Sequence, residues 1–143
     1  RKIIALTGVL ADKDYGEMYR PMMPYIQEFV CITPPNPRKL DAEELAEHLN
    51  RAGAVAIACE TIEDGVKMAL QEAGETGVVL CFGSLYTIGA IKDSDCFCLL
   101  IAVVICPFQS DNMNARIFFD TLHGTRCALK RAHAHKCLLY IGF

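Results

Sequence analysis

Val78-Val79-Leu80-Cys81-Phe82-Gly83-Ser84-Leu85-Tyr86-Thr87-Ile88-Gly89-Ala90-Ile91 is the stretch whose reading decides the fold. Five apolar residues with a β-branched start read as a buried strand, Gly83-Ser84 break it, and Leu85 to Ile91 reads as a short helix. A strand, a tight turn and a helix N-terminus in that order bring unpaired backbone N–H groups to the end of a parallel strand, where α/β sheets place their ligands. Two readings of Ser84 stand side by side: its hydroxyl joins an anion pocket for a carboxylate or a phosphate, or it caps its own helix.

Working outward, the same alternation recurs upstream. Ile3 to Val9 is a first apolar strand that empties into the charged cluster Asp12-Lys13-Asp14. From Glu17 to Glu28 the residues Met18, Met22, Tyr25 and Ile26 recur at helical spacing, with Pro21 and Pro24 limiting regularity. Phe29 to Thr33 is a second strand, followed by the stiff loop Pro34-Pro35-Asn36-Pro37-Arg38. Asp41 with Glu44 has capping-box spacing and opens a helix that Gly53 ends. Ala54 to Ala58 is a third strand, and Thr61 with Asp64 caps the next helix, which Gly74 terminates. Four strands alternating with helices predict an α/β, Rossmann-like fold with a mostly parallel sheet and right-handed crossovers.

After Asp93 the character changes. Residues 1–93 hold nine Lys/Arg against fourteen Asp/Glu, whereas 94–143 hold five against three, with five of the eight cysteines and three of the four histidines. We therefore divide the chain into a domain over 1–93 and an atypical Cys/His-rich tail over 94–143. In the tail, Cys96 to Phe108 and Cys137 to Ile141 read as strands, and Asn112 to Leu122 and Arg126 to Lys136 as helices. Cys96-x-Cys98 with His133-x-His135 and Cys137 invites a zinc reading, but the spacing matches no common zinc module, and no metal site is assigned.

The net charge of −3 argues against a general nucleic-acid binder. The longest apolar run, Cys96 to Cys106, has eleven residues and is stopped by Pro107, short of the roughly 20 a membrane helix needs. Cys31, Cys59 and Cys81 sit inside strand-like runs, where a free thiol behaves as a small apolar group, so a cytoplasmic, reducing compartment is the expectation. Arg1-Lys2 leads straight into the first strand, and we expect the chain to begin inside a larger protein, with the domain incomplete at its start.

Three motifs carry a resemblance. They are Gly8-Val9-Leu10-Ala11-Asp12-Lys13-Asp14-Tyr15 after the first strand, Thr33-Pro34-Pro35-Asn36-Pro37-Arg38 with Leu40-Asp41-Ala42-Glu43-Glu44-Leu45 after the second, and Gly83-Ser84-Leu85-Tyr86 with Gly89 after the fourth. In order and spacing, residues 1–93 resemble the C-terminal domain of bacterial folylpolyglutamate synthase/dihydrofolate synthase, of the Mur ligase superfamily. The resemblance implies an ATP-dependent ligase that phosphorylates a folate or pteroate carboxylate and lets the amine of L-glutamate displace the phosphate. It implies Lys13 as a ligand for a glutamate carboxylate or the phosphate, and Ser84 and Tyr86 for the α-carboxylate and the pocket wall. Asp12 and Asp14 would orient Lys13 or the amine, and Arg38 would reach the same cleft.

Each has a structural counterpart. Asp12-Lys13-Asp14 also reads as a solvated turn, Asn36-Pro37-Arg38 as a rigid connector, and Tyr86 as a packing residue with a wet hydroxyl. The chain has no Gly-x-x-x-x-Gly-Lys-Ser/Thr and no Asp-Gly-Ala-His-Asn-Pro. The ATP and Mg²⁺ that the resemblance implies would thus be held mainly by residues absent from this chain, on a missing N-terminal ATPase domain. We expect the chain alone to be inactive as a ligase. The alternative is a non-catalytic α/β interaction module, a remnant domain whose partner is another protein.

Overall fold

The computed structural model describes residues 2–93 and 138–142. The strands are β1 (Ile3–Gly8), β2 (Glu28–Cys31), β3 (Ala56–Ala58), β4 (Val78–Gly83) and β5 (Leu138–Gly142). They form one sheet in the order β3-β2-β1-β4-β5, every neighbouring pair parallel. The helices are α1 (Tyr15–Tyr19), α2 (Ala42–Arg51), α3 (Ile62–Ala73) and α4 (Leu85–Asp93). The predicted Rossmann-like α/β class is the one observed.

The central strands read as unbroken apolar runs because both of their faces are covered. Side chains alternate across the sheet. Ala5, Phe29, Cys31, Leu80 and Phe82 share one core layer with Tyr19, Leu45 and Leu49, beneath α1 and α2. Ile4, Leu6, Val30, Val79 and Cys81 share the other with Val66, Ala69 and Ile91, beneath α3 and α4. Each fully buried Leu or Ile of these layers contributes about 1.5–3 kcal/mol.

Chain direction follows from the strand order. β1, β2 and β3 step one way across the sheet; α3 then carries the chain back over the other face to β4, on the far side of β1. The point of reversal lies between β1 and β4. Their carboxyl ends diverge into connections on opposite sides, which opens a crevice there.

Two local readings are corrected. The helix expected from Glu17 to Glu28 is a five-residue α1 followed by a single 3-10 turn at Met23–Tyr25. Pro21 and Pro24 lack the N–H groups that would continue the α-helical ladder, so the helix stops before them. Asp41 does stand at the N-cap of α2, but its side chain accepts from Lys39 Nζ at 2.8 Å and makes no cap bond. The first-turn N–H of Ala42 donates instead to Thr33 Oγ1, 3.0 Å away and two residues past the end of β2. Thr61, by contrast, accepts from the Asp64 N–H at 3.1 Å and Gly74 closes α3 with φ +62°, both as the sequence predicts.

The strand expected at Cys137 to Ile141 is present as β5, on the open side of β4. The strand expected at Cys96 to Phe108, the two helices expected between Asn112 and Lys136, and the Cys/His pattern lie outside the described residues. No helix among the described residues is long and apolar enough to cross a membrane.

Candidate functional site

The crevice between β1 and β4 is built on two glycines. Gly8 and Gly83 are register partners at the ends of their strands. Gly83 has φ +130°, and a Cβ there would lie 2.2 Å from the Gly8 carbonyl oxygen, so only glycine fits the approach. The closeness lets the Ser84 N–H donate to Gly8 O at 3.0 Å, tying the start of α4 to the end of β1.

A second stitch sets the other wall. The loops after β1 and β2 run antiparallel through a Leu10–Lys39 bridge, with Ala11 N donating to Arg38 O at 2.8 Å and Leu40 N to Val9 O at 3.0 Å. Asn36 Oδ1 accepts from the Arg38 N–H at 2.9 Å, the side-chain turn that makes Asn favourable there. The Pro-rich segment is therefore a rigid connector, and it also holds Arg38 at the cavity.

Between these walls lies a cavity of about 190 Å³. Its apolar floor is Val9, Leu10 and Met18, and its polar rim brings together Lys13, Arg38, Ser84 and Tyr86. Four of the six residues singled out in the sequence thus converge, although the first and last are more than 70 positions apart. Lys13 is exposed and makes no ion pair among the described residues. Among the described residues, no carboxylate lines the cavity.

The two aspartates stand back from it. Asp12 Oδ2 accepts from Arg38 Nη1 at 2.7 Å, an exposed pair worth at most about 1 kcal/mol in stability. Asp14 caps α1, accepting from the Glu17 N–H at 3.2 Å. Neither contacts Lys13 in an ion pair. Tyr86 is half exposed on the rim, beside an exposed Leu85.

Ser84 is buried, and its hydroxyl caps α4 by accepting from the Thr87 N–H at 3.2 Å. Ser84 Oγ also lies 2.8 Å from Thr87 Oγ1, and the Thr87 hydroxyl donates to Gly8 O at 3.2 Å. With Thr87 N so engaged and Ile88 N donating to Ser84 O, the first-turn donors without an acceptor among the described residues are the N–H groups of Leu85 and Tyr86. They stand at the positive end of a nine-residue helix. Sequence reasoning passed over Thr87; its spacing of three from Ser84 was the available signal.

A larger cavity, about 390 Å³, lies between α1 and the C-terminal end of α2, lined by Gly16, Tyr19, Arg20, Met23, His48 and Leu49. Its polar side chains have neighbours: Arg20 pairs with Glu17 at 3.0 Å, and the His48 ring meets the Tyr15 ring edge-on at 5.0 Å. Among the described residues no three His, Cys, Asp or Glu side chains gather to hold a metal ion.

Comparison with known proteins fits this architecture. The chain is 36% identical over 89 residues to the dihydrofolate synthase/folylpolyglutamate synthase of Haemophilus influenzae, a match covering 61% of this chain and 20% of that protein. It therefore spans about a fifth of the length of that curated relative. The crystal structure of the bifunctional folylpolyglutamate synthase/dihydrofolate synthase of Yersinia pestis, complexed with AMPPNP and a manganese ion, superposes with a TM-score of 0.57 at 30% identity. That match covers 64% of this chain and 21% of the other. Residues 1–85 match the model of the Mur ligase, glutamate ligase domain, and over that majority of its length the chain belongs to this ligase family.

Proposed function

We propose that the domain is the glutamate-binding part of an ATP-dependent ligase of the folylpolyglutamate/dihydrofolate synthase type, adding L-glutamate to folate or dihydropteroate. The observation that carries the reading is the cavity at the β1/β4 reversal, where, among the described residues, two cations and two free helix N-terminal amides converge without a carboxylate. That set suits a guest with two carboxylates. The volume also favours a small one: cavities for drug-sized ligands run to roughly 300–1,000 Å³, and this one is about 190 Å³. An amino acid fits it better than a pterin or a nucleotide.

In this reading the Leu85 and Tyr86 amides receive one carboxylate and Lys13 and Arg38 the other, while Leu10 and Met18 pack against the methylenes between. Asp12 fixes the Arg38 guanidinium. Such a clamp acts by orientation, holding the amine where an activated acyl group meets it. ATP with its Mg²⁺, bound mainly outside this chain, supplies that activation.

Lys13→Ala tests the assignment in the ligase that contains this domain. The KM for glutamate rises about tenfold, the size of one lost charge-assisted hydrogen bond, and the KM for ATP changes less. An unchanged glutamate KM removes Lys13 from the pocket.

A further inference from the structure

The hydroxyls at the start of α4 have a fixed proton order. Gly8 O is a carbonyl and only accepts, so the hydroxyl of Thr87, 3.2 Å away and fully buried, spends its one proton there. Across the 2.8 Å contact between Thr87 Oγ1 and Ser84 Oγ, Ser84 is then the donor. One Ser84 lone pair takes the Thr87 N–H at 3.2 Å. What Ser84 has left for a guest in the cavity is a second lone pair and no proton.

We infer that Thr87 is a positioning residue that turns Ser84 into a hydrogen-bond acceptor, so that Ser84 receives the α-ammonium of the incoming amino acid and the carboxylate falls to the neighbouring amides. The inference rests on the glutamate reading above and replaces the carboxylate role that the sequence resemblance implies for Ser84. Rotating the Ser84 proton outward would leave the buried Thr87 oxygen without its donor, and an unsatisfied buried group is costly. The same arrangement selects an amino acid over a plain dicarboxylate. A carboxylate on the Leu85 and Tyr86 amides places its α-substituent beside Ser84, where an ammonium gains an acceptor and a methylene gains nothing.

The test titrates the 143-residue chain with L-glutamate and with glutarate, its analogue lacking the amino group, following the Leu85 and Tyr86 amide signals by NMR. The wild-type chain binds L-glutamate about tenfold more tightly than glutarate. Thr87→Val, which keeps the shape and removes the hydroxyl, loses that preference to within twofold while glutarate affinity holds; Thr87→Ser retains it. Ser84→Ala supplies an independent arm: it weakens L-glutamate to the level of glutarate and leaves glutarate unchanged. A Ser84→Ala chain that loses both ligands equally identifies Ser84 as a carboxylate donor and overturns the inference. So does a wild-type chain with no preference, or a Thr87→Val chain that keeps it. Binding of neither ligand defeats the glutamate reading itself, and this inference with it.

Discussion

The cavity between α1 and α2 is twice the size of the one at the ends of β1 and β4, about 390 against 190 Å³, yet it is the smaller that we propose as the binding site. At the larger cavity Arg20 already has Glu17 and His48 has Tyr15. At the smaller, Lys13 and the amides of Leu85 and Tyr86 have no such partners among the described residues. The difference lies in strand order. The larger cavity is a gap between two helices, whereas the smaller sits where the strand order reverses and strand ends deliver backbone donors to one point. Convergent unsatisfied polarity, more than volume, marks a site.

One glycine from each cavity makes the contrast measurable. Gly83→Ala puts a Cβ 2.2 Å from the Gly8 carbonyl at a φ of +130°, so the β1/β4 junction has to part. We expect a loss of about 3 kcal/mol or more in a urea unfolding series. Gly16→Ala, in the wall of the larger cavity, meets nothing closer than His48 Nε2 at 3.5 Å, and lies within α1. It is expected to be neutral or to stabilise by up to about 0.5 kcal/mol. Equal losses would show that the small cavity is not framed by the glycine contact.

An alkaline series probes the two layers on which the cavities rest. Burial pushes the Cys31 thiol, in the layer under α1 and α2, up to about 12, with nearby Cys59 adding to the shift. Burial also raises the Cys81 thiol in the opposite layer and the Tyr19 phenol, the latter opposed by its hydrogen bond to Thr7. The folded chain keeps these protons where the unfolded chain, with thiols titrating near 9.0, has lost them. Stability is therefore full below pH 9 and falls between pH 9 and 12, by about 1 kcal/mol per pH unit for one such thiol. Cys31→Ala and Cys81→Ala each flatten part of the slope of the urea midpoint against pH. If either leaves it untouched, that layer is not the source.

Much of the fold was legible because its causes are local. The strands are contiguous apolar runs since both faces are buried, and the cap of α3 needs only Thr61 and Asp64, three residues apart. The cap of α2 was misread because its acceptor, Thr33, lies just past the end of β2, nine residues before Ala42. The site divides the same way. Lys13 and Ser84 each stand out as polar residues closing an apolar run, but their meeting depends on β4 lying beside β1, which no spacing encodes. The contact of Thr87 with Ser84 was readable in their spacing of three, but its bond to the Gly8 carbonyl, 79 positions away, was not.

The smallest expected effect is the one that most directly tests the contrast. Arg20 is the charged side chain of the larger cavity, exposed and paired with an equally exposed Glu17. Such a pair contributes little to stability, so Arg20→Ala changes the unfolding free energy in a urea series by less than about 0.5 kcal/mol. It is expected to leave the L-glutamate affinity of the chain, read by the same amide titration, within twofold of wild type, where Lys13→Ala lowers it about tenfold. The two substitutions remove one cation each from the same domain and change its net charge equally, so long-range attraction of an anion cannot separate them; only direct contact can. If Arg20→Ala weakened glutamate as much as Lys13→Ala, the guest would belong to the gap between α1 and α2, and the reversal between β1 and β4 would lose its claim to the substrate.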